Sequence, residues 1–238
     1  FVEALQVDEQ DGVCKRLENV MSRTTPCEVL NFGCSGFSSS LELILLREWV
    51  FRFEPDYVVC LHHFSDLTED WRFRRSAVLD GDRVLAVPAT STGMSKRLRG
   101  VLELSQVYRL GSAALDRATR HRAPRSDASL KESFDAIVRR TYTDDDREAW
   151  CYSLSHVAEM ARQCETRGVP FLVAIIPIGA QVEPVDAAFA KQVGYRYLAE
   201  GKLLEHTGYQ EIVASTLETT GQPCLDLLDA FRQANPEG

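Results

Sequence analysis

Three residues combine a type and a setting that suit chemistry: Gly36, Ser65 and Asp66. A glycine lets a backbone amide approach a ligand with no Cβ in the way, as a site that holds a developing oxyanion requires. Gly36 stands in such a place, within Asn31-Phe32-Gly33-Cys34-Ser35-Gly36-Phe37-Ser38-Ser39. Ser65 and Asp66 follow His62-His63-Phe64. The Ser65 hydroxyl could donate to an oxyanion or cap the segment that follows, and Asp66 suits bonding to the amides of its own turn. His62 and His63 are of the right type for a base or metal ligand, but adjacent strand residues point to opposite faces, so one of them at most, His63, reaches a cleft. Asp144-Asp145-Asp146 reads as the acidic first turn of a helix, where the dipole favours carboxylates, and no metal site is expected. His156 and His206 fall on predicted helices beside no evident partner. The seven cysteines show no C-x-x-C pairing, which argues against structural zinc and for free thiols used as small apolar side chains.

Two polar turns carry the candidates, Gly33 to Ser40 and His62 to Asp70, and apolar elements must position them. Val29, Leu30 and Phe32 predict a strand near 27–32. Ser39-x-x-Glu42 is a capping-box pattern, and Leu41, Ile44, Leu45, Glu48, Trp49 and Arg52 follow at helical spacing up to Pro55. Tyr57-Val58-Val59-Cys60-Leu61 predicts a strand over 57–62, buried on both faces. The unit is βαβ with parallel strands, and in such sheets ligands sit beyond the carboxyl ends, where both turns lie.

In chain order, Val13, Leu17, Val20 and Met21 predict a helix from Asp11 to Ser22 that covers the sheet. Asp80-Gly81 predicts a hairpin over Val78 to Val87. A long helix is expected from Lys96 to about His121, and residues 71–145 together read as a lid-like insertion. The helix opened by Asp144 turns Val157, Met160 and Ala161 to the core and ends at Gly168, before a buried strand over 170–176. Gln181 and Glu183 should then line the cleft. Helices near Ala187 to Glu200 and Tyr209 to Thr219 precede a last strand at 223–226.

The pattern N-x-G-x-S-G-F-x-S, a helix, then Pro55-Asp56-x-Val58-Val59 and a polar turn resembles the SGNH (GDSL-type) hydrolases. That resemblance implies a three-layer α/β/α, flavodoxin-like parallel sheet and an esterase or acyltransferase with a Ser-His-Asp triad. Gly36 matches the oxyanion-hole glycine. Ser65-Asp66 takes the place of the family's Asn-Asp pair, so a hydroxyl replaces an amide donor. Phe1, Ser35, His63 and Asp66 would line the cleft. No Gly-Asp-Ser occurs in the 238 residues and no Asp-x-x-His after residue 170. Phe1-Val2-Glu3-Ala4 and Leu227-Leu228-Asp229-Ala230-Phe231 resemble the residues beside those two blocks, so the chain reads as an interior fragment. The nucleophile is expected just before Phe1 and the Asp-x-x-His after Gly238, with the first, central strand of a 2-1-3-4-5 sheet missing.

Length and a 45% hydrophobic, 26% charged composition suit a single SGNH-like domain over 1–238. The net charge of −8 argues against nucleic acid, which would need clustered excess Lys and Arg. No apolar run approaches the ~18 residues of a membrane span. With the amino terminus read as missing, an exported, a membrane-anchored and a cytoplasmic parent all stay open. Three function classes follow: an SGNH ester hydrolase or acyltransferase on a small-molecule or carbohydrate ester, without a cofactor; a non-catalytic SGNH-like module that binds a glycan or acyl group; and a nucleotide-binding flavodoxin-like domain. The last would hold phosphate at Gly33-x-x-Gly36 but lacks G-x-G-x-x-G.

Overall fold

The structure, a computed structural model, describes residues 8–34, 36–74, 76–80, 83–87, 143–183 and 207–234. Three strands, β1 (Val58–His62), β4 (Phe171–Ile175) and β5 (Cys224–Asp226), form a parallel sheet in the order β1-β4-β5. Between β1 and β4 in sequence, β2 (Val78–Asp80) and β3 (Arg83–Ala86) pair as an antiparallel hairpin. The described α-helices of seven or more residues are α1 (Val13–Met21), α2 (Ser39–Glu48), α3 (Phe64–Phe73), α4 (Asp144–Glu165), α5 (Gly208–Glu218) and α6 (Leu228–Ala234). The expected helices over 96–121 and 187–200, most of the 71–145 insertion, His206, Phe1 and Ser35 lie outside the described residues.

The pairing Val58↔Phe171 through His62↔Ile175 puts Val58, Cys60, His62, Phe171, Val173 and Ile175 on one face of the sheet. On that face Leu43 and Leu46 of α2, Leu67 of α3, Trp150, Leu154 and Val157 of α4, and Tyr209 and Val213 of α5 close the core. Along the other face Ala174 is buried, Leu61 and Leu172 are half-buried, and Val59 and Leu225 are exposed. The expectation that β1 is buried on both faces is therefore corrected. A continuous apolar run cannot distinguish one covered face from two.

Two further expectations are revised. Residues 27–32 form no strand: Val29 N–H donates to Glu18 Oε2 at 2.9 Å, and the Phe32 ring meets Phe53 edge-on at 5.3 Å. A strand exists through its ladder, and no described strand lies beside this segment. The apolar side of α1 does not cover the sheet among the described residues, since Val13, Leu17, Val20 and Met21 are between 41% and 58% exposed.

The start of α2 departs from the capping-box pattern. Ser38 is the N-cap, its side chain makes no cap bond to its own helix, and Ser39, Ser40, Leu43 and Leu46 form the buried side. The long helix α4 does carry a capping box: Asp146 N–H donates to Thr143 Oγ1, and Thr143 N–H and Oγ1 both donate to Asp146 Oδ2. Beyond its end, Gly168 adopts φ +69°, a left-handed turn that leads into β4.

Candidate functional site

Gly36 occupies the turn before α2 at φ +76°, with nothing within 4 Å of where a Cβ would stand. The turn is shaped on one side by Gly33 N–H donating to Asn31 Oδ1 and on the other by Phe37 N–H donating to Cys34 O. Only glycine takes this backbone conformation without strain, and no hydrogen bond to the Gly36 amide is made among the described residues. Gly36 itself is exposed.

Ser65 and Asp66 open α3, directly after the carboxyl end of β1. His63 is the N-cap. Its Nδ1 accepts from Ser65 N–H at 3.3 Å and lies 2.9 Å from Ser65 Oγ, while His63 N–H donates to Asp66 Oδ2 at 2.7 Å. Because the backbone amide must donate, Nδ1 is an acceptor, and the Ser65 hydroxyl donates to it as well. Burial holds His63 down at about 4, so the ring is neutral and a weak base. His62 is buried on the core side. Tyr209 O–H donates to His62 O at 2.9 Å, so the 2.8 Å contact with His62 Nδ1 places the ring proton there and leaves Nε2 a buried acceptor without a partner. Burial pulls His62 down to about 3, so it stays neutral.

Behind these turns three carboxyl groups gather between α2, α3 and α4. Asp70, fully buried, accepts from Ser38 Oγ at 2.6 Å and Ser40 N–H at 3.0 Å through Oδ1, and from Ser153 Oγ at 2.7 Å through Oδ2. A residue of α3 thus caps α2, supplying the acceptor that Ser38 does not give its own helix. Glu42 accepts from the Cys60 thiol at 3.6 Å. Burial, with the Asp70 charge adding to it against the Cys60 bond, raises Glu42 to about 7. Burial and the Glu42 charge also push Asp66 well above the carboxylate range. His156, buried on α4 with Nε2 unpartnered, is pushed down by burial.

Asp70, Ser38, Ser40, Ser153 and Glu42 were not singled out from the sequence as site residues. The serine run 38–40 at a helix entry and the Asp66/Asp70 spacing, one helical turn apart, were the available signals. Gln181, expected to line the cleft, is buried and exchanges hydrogen bonds with Gln210 at 2.9 and 3.0 Å, whereas Glu183 is exposed. A surface groove lined by Ala214, Glu218 and Gly221–Cys224 lies at the amino end of β5, away from the two turns. No group of metal-ligating residues occurs among the described residues, and no helix there is long and apolar enough to cross a membrane. No protein-family model, curated protein or solved structure matches this chain.

Proposed function

We propose that this chain forms the body of an SGNH-type ester hydrolase or acyltransferase, acting on a small-molecule or carbohydrate ester with a Ser-His-Asp triad from outside the sequence above. The observation that carries the reading is the exposed Gly36 in a left-handed turn, bound through Asp70 to the helix that Ser65 opens at the end of a parallel strand. In this reading the sheet is the flavodoxin-like, three-layer one with a further strand beside β1, and residues 71–145 are a lid on one domain spanning 1–238. The triad serine attacks the ester carbonyl as its proton passes to the histidine. The carbonyl electrons move onto oxygen, where the Gly36 N–H and the Ser65 hydroxyl donate to the charge. Collapse expels the alcohol, which takes the proton from the histidine. Water then releases the acid in a hydrolase, or a second alcohol takes the acyl group in a transferase.

The test is p-nitrophenyl acetate hydrolysis by the full-length protein that carries this chain. Gly36→Val should lower kcat by about 10²- to 10³-fold, the range for losing one oxyanion donor. Ser65→Asn should preserve or raise kcat, since an amide reaches further than the hydroxyl now held by His63. The chain alone should show no enzyme-like turnover; turnover by it would place the nucleophile inside these residues. The 2.9 Å bond that occupies Ser65 favours one second reading, a non-catalytic module that binds a glycan or acyl group. An inactive full-length protein with an intact Gly-Asp-Ser and Asp-x-x-His would decide for it.

A further inference from the structure

We propose that Asp70 is a positioning residue of the candidate cleft, holding the Gly36 turn in place through Ser38 and Ser40. The proposal rests on the reading above for its functional meaning and on geometry for its substance. Gly36 is two residues from Ser38, and α2 has no side-chain cap of its own. The Ser40 N–H belongs to the first turn, where no intrahelical acceptor exists, and its one partner is Asp70 Oδ1 at 3.0 Å. The same oxygen takes the Ser38 hydroxyl at 2.6 Å. Asp70 is itself anchored, because Oδ2 takes the Ser153 hydroxyl at 2.7 Å from α4 and the whole side chain is out of water. A carboxylate with three donors and a rigid backing is a fixed point, and the turn that hangs from it inherits its position relative to α3, and so to Ser65.

Hydrogen exchange on this chain, and kinetics on the full-length protein, test the idea with Asp70→Ala and Asp70→Asn. Asn keeps an oxygen for Ser38 and Ser40 and offers its amide to Ser153 Oγ, which can turn its own proton to Asp66 O, 3.2 Å away. Asp70→Ala should speed exchange of the amides over 38–42 by about 10- to 100-fold, the loss expected for hydrogen bonds to a buried charge, and leave α5 unchanged. Asp70→Asn should restore most of the protection. In the full-length protein Asp70→Ala should lower kcat by a similar factor with KM held, because the oxyanion donor and not substrate binding is displaced. Unchanged exchange over 38–42, or loosening of α5 to the same degree, overturns the proposal and makes Asp70 a general packing residue. Local loosening in a chain whose full-length wild type hydrolyses no ester sustains the positioning and overturns the esterase reading.

Discussion

At the scale of single residues, Glu42 makes one contribution to how stability responds to pH. It is faced by the Cys60 thiol from β1 and by the Asp66 and Asp70 carboxyls from α3, and it stays protonated up to about 7. The unfolded chain binds that proton only below about 4.5, so across the interval the native state holds more protons and stability falls as pH rises. The contribution is complete below the lower value and gone above the higher one. Asp66, raised in the same direction, adds to the slope. Urea melts between pH 5 and 8 should show the wild type losing about 2 kcal/mol relative to Glu42→Gln, which cannot ionise, while His62 and His63, kept neutral in the fold, act in the opposite direction in both proteins. A difference between the two proteins that does not change over this range would rule the account out. Little of this was legible beforehand: Glu42 fits a capping-box pattern on paper, and only the turn of α2 toward β1 reveals that it meets a thiol instead.

At the scale of elements, the parts that were legible are those fixed by local pattern. The acidic triplet after Thr143 opens α4, the strands expected at 57–62 and 170–176 contain β1 and β4, and the hairpin expected over Val78 to Val87 is the pair β2 and β3, with Asp80 opposite Arg83. The parts that were not legible depend on a partner far away in sequence. Val59 and Cys60 look alike as residues, yet one is 45% exposed and the other buried, because coverage of a sheet face is decided by which helices arrive. The same holds for 27–32, whose β propensity cannot supply a neighbouring strand. α4 gives a direct check on local pattern. Thr143→Ala removes the side-chain half of its capping box, keeping the backbone bond to Asp146, and should cost about 1 kcal/mol, read as a fall of a few degrees in Tm, with the circular dichroism below the transition unchanged. No change in Tm would mean that tertiary packing alone holds the helix start.

At the scale of the whole molecule, the sheet is parallel and the helices on its covered face are tied to one another by polar groups as well as by apolar packing. Asp70 was illegible at this level too: between Glu69 and Trp71 it reads as one more solvated acid on a helix, and nothing near it in sequence shows that α4 packs there with Ser153 against it. That arrangement has a kinetic consequence. Its donors lie 32 positions before and 83 after it along the chain, so two large loops must close before the carboxylate meets either hydroxyl. Contacts of such separation tend to be made after the rate-limiting step of folding, when the helices are already docked. Stopped-flow measurements on Asp70→Ala should therefore find the refolding rate close to wild type and the unfolding rate raised by about tenfold or more, the signature of an interaction absent from the transition state. Slowed refolding with unchanged unfolding would instead put these parts of α2, α3 and α4 among the first of the chain to meet.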